Sequence, residues 1–505
     1  MPRQDMIRAR RGTAAEWALS TDILYSGELA WASDTNEFKL GDGFNTFSAL
    51  PSVNASDATV AAFVTGGGPT ETALNSTMTA AYGPHVDTEY SASMVTLSDY
   101  QSRPASPFLV AIGDSITDNN HTITVWTGAS ATRTAAYRAD GYITNAMIEL
   151  SQPFTWFDRG VSGERSDQGL ARFDADVAPL NPRIVVEAFG TNDISQGVSA
   201  AVTFSNKYEM WKKAWRLGAH VLAFTCPPRD TFDTAKMQES FKLNAMLYAY
   251  SATNPNKFTL VDWWVALAEP LTGKYKTTLV DTAGVHPNGR GALAAGSVLA
   301  SAIQPLILGA PPAHLAMSAV NDTANLLPNP LENQSTGGNI TANKGLTGTA
   351  PINHTFTSSG TDSTVTGVLS LIARPDGFGN WYQIETTVMP DANATVSANH
   401  SASAGTWAEG DTLYAMCEFE TDADGWTDGT FDYRLLCVDA ASNILHYSAS
   451  LDKGSDSIVL GRRPGGVLRT PAIVVPPGTT TVRASFVYGG LGKVRVGREV
   501  IRKLN

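Results

Sequence analysis

The chain has few cysteines, few basic residues and no long hydrophobic segment. Its three cysteines are too few for a disulfide framework, and their apolar contexts predict buried thiols formed in a reducing compartment. No apolar run of about 18 residues occurs, and the amino terminus has no apolar h-region, so neither a membrane span nor a secretory signal is predicted. The 36 Lys and Arg against 48 Asp and Glu leave a net charge of -12, which disfavours nucleic acid as a partner.

What the chain does contain suits a large globular protein. Its 505 residues allow about three domains, and a hydrophobic content of 43% provides for ample cores. Composition and punctuation divide it into a small β module at 1–52, a Gly-broken linker or helical neck at 53–104, an alternating strand and helix region at 105–310, a proline-punctuated join at 311–330, and a Gly, Thr and Ser-rich β region at 331–505.

The region 105–310 alternates apolar strands with helical stretches. Crossover helices between strands predict an α/β domain with a parallel sheet covered on both faces. The predicted strands are 108–112, 154–158, 183–189, 219–225 and 258–262. The predicted helices are 140–151, 167–178, 200–217, 234–251 and 290–307.

The first of these strands ends at a candidate nucleophile. The apolar run 108–112 lies between Pro107 and Gly113, which predicts a buried strand that delivers Asp114 and Ser115 to its carboxyl end. Open α/β sheets place their sites at that edge. By position alone, however, a serine after Gly-Asp is more simply a helix cap than a nucleophile.

Three further stretches downstream change that balance. They are Gly160-Val-Ser-Gly-Glu-Arg-Ser166, Phe189-Gly-Thr-Asn-Asp193 and Val285-His-Pro-Asn-Gly289. Together with Gly113-Asp-Ser115, in this order, they resemble the four signature blocks of the SGNH (GDSL) hydrolase family. The resemblance implies a flavodoxin-like parallel sheet flanked by helices and an esterase activity.

The resemblance also implies a role for one residue of each block. Ser115 would be the nucleophile and would donate its own backbone N–H to the oxyanion. Gly163 and Asn192 would supply the other two oxyanion donors, and His286 would be the base. These are the parts that ester hydrolysis by a serine requires.

One position departs from the family pattern. The family places an aspartate three residues before the histidine, where this chain has Ala283. The imidazole still needs a group that fixes its tautomer and stabilises its charged form. Asp281 would reach the ring if the loop bulges; otherwise a backbone carbonyl would orient it, and the site would be a dyad.

Residues near these blocks are weaker candidates for substrate binding. They are Asp114, Trp126, Tyr137 and Arg165, since aromatic rings stack on sugars and arginine bridges hydroxyl or carboxylate groups. The sequence has no HExxH pair and no Walker loop, so we expect no metal and no other cofactor.

The segment 1–52 has a second resemblance. Leu29, Trp31, Phe38 and Leu40 alternate around the turn residues 33–36 and predict a hairpin closed by 41–43. The order Arg10-Arg-Gly-Thr13, Gly27-Glu28, Phe38-Lys-Leu-Gly-Asp-Gly43 and Phe47-Ser-Ala-Leu-Pro51 resembles the amino-terminal module of bacteriophage tail fibres and tailspikes. That likeness implies attachment to the virion, with virion tail or baseplate proteins and a homotrimer as partners.

The β region 331–505 predicts an antiparallel β-sandwich that binds carbohydrate or assembles a trimer. The combined expectation is a virion-located tail protein, made in the host cytoplasm, that removes O-acetyl groups from host capsule or O-antigen polysaccharide. Two alternatives remain open at this point. One is a non-catalytic receptor-binding protein with a degenerate hydrolase domain, and the other is a lipase or thioesterase.

Overall fold

The structure is a computed structural model, and it describes most of the chain from residue 109 onward. The described residues are 10–21, 29–32, 34–35, 37–40, 46–49, 109–122, 132–150, 156–254, 257–307, 324–333, 337–341, 345–359, 365–390, 394–422, 430–452 and 465–504. The predicted neck at 53–104 lies outside them. None of the helices within these ranges has the length and apolarity needed to cross a membrane.

The amino-terminal module is a three-stranded sheet with one short helix. Strand β1 is Arg10–Gly12, helix α1 is Ala14–Leu19, and strands β2 and β3 are Leu29–Ala32 and Glu37–Leu40. Leu29 pairs with Leu40 and Trp31 with Phe38, which confirms the predicted hairpin. A capping box between Thr13 and Glu16 starts α1, and Trp17 stacks on Phe47 with ring centroids 4.6 Å apart.

The second sheet has five parallel strands, in the order β10-β9-β8-β4-β7. This is the flavodoxin-like order, so the predicted fold class is confirmed. Each observed strand falls within one or two residues of its predicted bounds. The strands are β4 (Leu109–Gly113), β7 (Trp156–Gly160), β8 (Ile184–Ala188), β9 (His220–Phe224) and β10 (Phe258–Val261).

Helices cover both faces of this parallel sheet. Two separate buried clusters result, one on each face of the sheet. Successive side chains of a strand point to opposite faces, so Leu109 and Ala111 belong to one cluster and Val110 and Ile112 to the other. The helices are α2 (Ser115–Asp118), α3 (Tyr142–Leu150), α4 (Ser166–Asp176), α5 (Thr191–Ser195), α6 (Ala200–Arg216), α7 (Thr234–Thr253), α8 (Trp263–Leu267) and α9 (Gly289–Ile303).

The carboxy-terminal region is rich in antiparallel pairs and forms two sheets. Side chains from both sheets, such as Phe356 and Phe486 from one and Ile384 and Val494 from the other, share one buried core. The strands are β11 (Asn339–Ile340), β12 (Leu346–Gly348), β13 (His354–Ser359), β14 (Thr366–Ala373), β15 (Asn380–Val388), β16 (Thr395–Ser401), β17 (Thr412–Thr421), β18 (Thr430–Val438), β19 (Ile444–Asp452), β20 (Gly465–Arg469), β21 (Ile473–Val474), β22 (Thr481–Gly489) and β23 (Gly492–Lys503). Cys226, Cys417 and Cys437 are buried free thiols.

The two large regions are joined more closely than the sequence indicates. Strands β5 (His121–Thr122) and β6 (Thr132–Arg138) do not join the parallel sheet. They belong instead to the eight-stranded sheet of the carboxy-terminal region. Strand β6 pairs in parallel with β19, and Ala135, Ala139 and Ile148 enter the carboxy-terminal core. The segment 105–310 therefore contributes to two sheets.

This pairing predicts that residues 105–310 will be less stable alone than within the full chain. Without β19, strand β6 keeps only the two-residue strand β5 as a ladder partner, and the apolar side chains beneath it are exposed to water. We expect the fragment either to be insoluble or to unfold at a Tm lower by about 5 °C or more. Thermal unfolding followed by tryptophan fluorescence checks this, and an unchanged Tm would show that the junction contributes nothing.

Candidate functional site

The site lies at the carboxyl edge of the parallel sheet. In the sheet register Gly113 stands beside Gly160 on one side and Ala188 on the other, so β4, β7 and β8 end at the same level. Each of these strands leads directly into one signature block. Three of the four blocks therefore meet because their strands are adjacent.

A serine, a histidine and an aspartate form a connected chain at this edge. Ser115 is the first residue of α2, and its Oγ lies 2.9 Å from His286 Nε2. On the other side of the ring, His286 Nδ1 lies 3.2 Å from Asp281 Oδ2. The histidine side chain is 32% exposed, so the hydroxyl and its base are accessible from solvent. This is the connectivity of a nucleophile, a base and an orienting acid.

Asp281 reaches the histidine because the loop between them folds back on itself. The Asp281 N–H donates to the His286 carbonyl at 2.8 Å, and the Gly284 N–H donates to the Asp281 carbonyl at 3.1 Å. Gly284 adopts φ +69, a conformation that side chains other than glycine rarely take. Ala283 at the usual aspartate position is thus compensated by a tight turn that returns Asp281 to the ring.

The electrostatics of Asp281 suit a charged partner for imidazolium. Burial acts to raise its pKa, but the hydrogen bonds from the Val285 N–H, at 2.9 Å, and from His286 outweigh burial and hold the pKa below its ordinary value. The carboxylate therefore stays ionised over the neutral pH range. An ionised Asp281 favours the tautomer in which Nδ1 carries the proton and Nε2 accepts from Ser115.

Two backbone N–H groups of the signature blocks have no acceptor among the described residues, one on Ser115 itself and one on Gly163. Gly163 has φ +83, and a Cβ added there would have no atom within 4 Å, so this loop borders open space. Unpaired backbone donors beside a serine hydroxyl are the usual composition of an oxyanion hole.

The Asn192 side chain is held by two contacts. Its Nδ2 donates to the Glu164 carbonyl at 3.0 Å, and its Oδ1 accepts from the Arg229 guanidinium at 3.4 Å. One Nδ2 proton is used by Glu164, so the second is left for a substrate oxygen. Arg229 fixes which end of the amide is the donor. We did not predict Arg229, because its loop after β9 carries no recognisable motif.

Arg172 is a second residue that the sequence does not single out. Its guanidinium pairs with Glu164 at 2.7 Å and donates to the Gly113 carbonyl at 3.3 Å. It thereby joins the end of the nucleophile strand to the loop that carries Gly163. Only the fold brings these positions together, so no local signal could have indicated the contact.

Two aspartates of the blocks are structural. Asp193 accepts from the Ser166 N–H and hydroxyl at the start of α4, and it thereby holds the third block against the second. Asp114 caps α2 by accepting from the Ile116 N–H at 3.0 Å, and it is 1% exposed. The prediction that Asp114 binds substrate is therefore wrong, because its carboxylate lies beneath the turn.

The other substrate-binding candidates have different positions. Arg165 is half-buried two residues after Gly163, and its guanidinium is engaged by Asp167 at 2.9 Å and by Gln196 at 2.8 Å. Trp126 lies outside the described residues.

Tyr137 stacks on Trp156, with ring centroids 4.6 Å apart. Trp156 pairs with Leu109 at the opposite end of β4 from Ser115, about 13 Å away along a five-residue strand. The prediction that Tyr137 contacts substrate is therefore wrong. Its strand joins the carboxy-terminal sheet, which the local sequence pattern does not reveal.

Two family profiles match parts of this chain. The profile of the GDSL-like Lipase/Acylhydrolase family matches residues 111–294. The chain carries a GDSL-like acylhydrolase domain. The matched range contains every residue of the Ser115 site. The profile of the Major tropism determinant N-terminal domain matches residues 7–44, ahead of the GDSL-like domain.

Solved structures are also similar to the GDSL-like domain. A putative acylhydrolase from Bacteroides fragilis is 22% identical, with 43% of this chain and 99% of that chain covered and a TM-score of 0.32. A GDSL-like lipase from Bacteroides thetaiotaomicron is 22% identical, with 41% and 98% covered and a TM-score of 0.32. A mutant acetyl-xylooligosaccharide esterase from Geobacillus Stearmophilus is 19% identical, with 40% and 94% covered and a TM-score of 0.31. The search of curated proteins found no match.

Replacing Asp281 tests its role in the GDSL-like domain. Asp281→Asn keeps the side-chain shape but removes the charge and permits the wrong imidazole tautomer, so we expect kcat to fall by roughly 10³ to 10⁴-fold. Hydrolysis of p-nitrophenyl acetate measures this, with Asp439→Asn, in the turn between β18 and β19, as the matched control. An unchanged kcat would mean that a backbone carbonyl orients His286.

Replacing Asp114 tests whether burial raises the pKa of its carboxyl group. Burial raises the pKa of Asp114 from 3.8 to about 7, against the opposing hydrogen bond from Ile116. Between these values the folded state binds a proton that the unfolded state releases, so this carboxyl makes the free energy of unfolding fall as pH rises. Asp114→Asn removes this decrease in the free energy of unfolding, and it keeps a side-chain oxygen that can cap α2.

We therefore expect the Tm difference, variant minus wild type, to be more positive at pH 8 than at pH 4. Thermal unfolding of both proteins across this range measures it. Asp158, whose pKa burial also raises to about 7, is present in both and cancels in the difference. A difference that is independent of pH would contradict the burial argument.

Proposed function

We propose that this chain is a phage tail-associated serine esterase that removes O-acetyl or other short acyl groups from host surface polysaccharide. The observation that carries the proposal is the Ser115, His286 and Asp281 chain, with contacts of 2.9 and 3.2 Å, at the edge where Gly163 and Asn192 also lie. A protein kept only for binding has no need of a hydroxyl in contact with an imidazole that an ionised carboxylate orients.

The first half of the reaction forms an acyl-enzyme. Ser115 Oγ attacks the acyl carbonyl carbon while His286 Nε2 takes the hydroxyl proton, and Asp281 stabilises the resulting imidazolium. The carbonyl oxygen becomes an oxyanion that accepts hydrogen bonds from the N–H groups of Ser115 and Gly163 and from Asn192 Nδ2. Collapse breaks the ester bond, and His286 returns the proton to the departing sugar oxygen.

The second half releases the acyl group. A water molecule replaces the sugar, His286 Nε2 takes one of its protons, and the hydroxide attacks the Ser115 ester through the same oxyanion donors. Breakdown frees the carboxylic acid and returns the proton to Ser115. One side-chain donor of the Asn192 type is worth about 2.7 to 4 kcal/mol in such transition states.

The exposure of the site supports a polymeric substrate. His286 is 32% exposed, and the Gly163 loop borders open space, so an acyl group on a bulky chain can approach Ser115 without a deep channel. This geometry suits a short acyl group projecting from a polysaccharide better than a long chain that must be buried. The GDSL-like fold by itself does not distinguish the two substrate classes.

The amino-terminal match supports a location on the virion. A tropism-determinant module at residues 7–44 precedes the esterase, so we propose that it attaches the chain to the tail or baseplate. The carboxy-terminal sheets would then bind polysaccharide or assemble a homotrimer. In this arrangement the esterase meets host capsule or O-antigen during adsorption.

Replacing Ser115 tests catalysis directly. The full chain should release p-nitrophenol from p-nitrophenyl acetate faster than from the octanoate ester, and Ser115→Ala should lower kcat by about 10³-fold or more. Ser301→Ala, on an exposed face of α9, is the matched control and should leave kcat unchanged. Rates that are equal or that rise with chain length would favour a lipase or thioesterase.

Mass spectrometry of capsule or O-antigen before and after incubation tests the substrate. We expect losses of acetyl-sized mass units from an intact backbone, absent with Ser115→Ala. Shortened chains would instead indicate depolymerisation. Polysaccharide binding without release of any acyl group would favour the receptor-binding alternative.

A further inference from the structure

A buried cluster of two histidines and two glutamates lies in the carboxy-terminal region and joins its two sheets. It consists of Glu332, His354, His400 and Glu499, whose ligand atoms all lie within 4.8 Å of one another. All four side chains are fully buried. We name this group the His2Glu2 cluster.

The cluster draws its members from three parts of the fold. His354 on β13 and His400 on β16 are directly paired across one sheet, and Glu499 comes from β23 of the other sheet. Glu332 comes from the segment that leads into the first carboxy-terminal strand. Any group that binds all four residues would tie both sheets and this segment together.

Both imidazoles are oriented with one nitrogen toward the cluster. His400 Nε2 contacts the Pro328 carbonyl at 2.6 Å, and His354 Nδ1 contacts the Ile352 carbonyl at 3.3 Å. A carbonyl can only accept, so each ring places its N–H outward. This leaves His400 Nδ1 and His354 Nε2 as the inward atoms, and it is the arrangement typical of histidines that ligate metals.

The inward nitrogens share one carboxylate oxygen. Glu499 Oε2 lies 2.6 Å from His354 Nε2 and 3.0 Å from His400 Nδ1. Neutral rings that donate outward would present two lone pairs to an anionic oxygen. Protonating both rings would instead place two cations with ring centroids 4.0 Å apart. A cation between these atoms relieves both conflicts.

Glu332 provides the independent observation. It is 0% exposed, and among the described residues neither of its carboxylate oxygens has a hydrogen-bond partner. Its Oε2 lies 3.8 Å from His354 Nε2, while its backbone carbonyl is held by Asn380 at 2.8 Å. A buried carboxylate without a donor is costly unless a cation binds it.

From these contacts we infer that the His2Glu2 cluster is a structural binding site for one divalent transition-metal ion of the zinc class. Two imidazole nitrogens and two carboxylate oxygens form a donor set typical of zinc and unlike the all-oxygen sites of calcium and magnesium. Two carboxylates and a divalent ion leave no net charge in the core. The four residues are buried, so the site has no open position for a substrate.

Metal binding requires the ligand atoms to shift from their present positions. Metal–ligand bonds of about 2.0 to 2.2 Å place tetrahedral ligand atoms roughly 3.3 to 3.6 Å apart. The His354–Glu499 and His400–Glu499 separations of 2.6 and 3.0 Å are shorter than that range and would widen, whereas the 3.8 Å between Glu332 and His354 would shorten. The sequence carries no signal for this site, because its ligands are scattered over positions 332 to 499 without a short motif.

The test uses the full chain expressed with added zinc and then dialysed. We expect about one zinc per chain by elemental analysis, and a Tm that falls by about 5 °C or more after removal by a strong chelator and recovers with added Zn²⁺. Replacing the zinc with Co²⁺ should give the visible absorption of a tetrahedral site. None of these readouts depends on ester hydrolysis.

Two matched variants make the test specific. Glu332→Gln keeps the side-chain volume and should lower the zinc content at least tenfold and abolish the Tm response to chelator. Glu418→Gln removes a carboxylate that pairs with Arg374 and Arg498 outside the cluster. This variant should keep the zinc content and the Tm response to chelator of the wild type. A wild-type chain with no zinc, no cobalt spectrum and no Tm response would show that the cluster holds shared protons instead, and would overturn the inference.

Discussion

The Ser115 site depends on three parallel strands, β4, β7 and β8, that end at the same level of the sheet. A Cβ on Gly113 would lie 2.1 Å from Thr117 Oγ1 and 3.0 Å from the Ala188 carbonyl, and one on Gly160 would lie 2.1 Å from the Asp118 nitrogen. The turn that carries Ser115 therefore packs directly on the ends of its neighbours. Glycines at these two ends let the turn that carries Ser115 pack against β7 and β8.

A buried ion pair supports the third loop of the site from below. Lys207 and Glu187 are fully buried 3.0 Å apart, and Lys207 also donates to the Phe189 carbonyl at 2.8 Å. Glu187 accepts from the Phe189 N–H and from the Trp211 indole. Such a pair offsets its desolvation only when its polar atoms are satisfied, as they are here. The pair thereby fixes Phe189, which precedes the turn at Gly190, and so helps to position Asn192.

The sequence predicted best what local patterns encode. The run 108–112 became a strand at Leu109–Gly113 because five consecutive apolar residues between proline and glycine suit a strand buried on both faces. The pairing of Ser115 with His286 followed from ordered motifs, which constrain contacts across 171 positions. Local patterns were silent where contacts are long-range. Arg229 and Arg172 have ordinary contexts, and Tyr137 lies in a strand whose partner, β19, is distant in the chain.

The sequence by itself determined the order of strands and helices, the flavodoxin-like sheet, the amino-terminal hairpin and the contact between Ser115 and His286. These follow from apolar periodicity and short motifs, which act over a few neighbouring residues. Only the tertiary structure decided that Asp281 returns to His286, that β6 joins the other sheet, and that two histidines and two glutamates meet in one core. Each of these depends on backbone turns and on strand pairing between remote segments, and no residue carries that information alone.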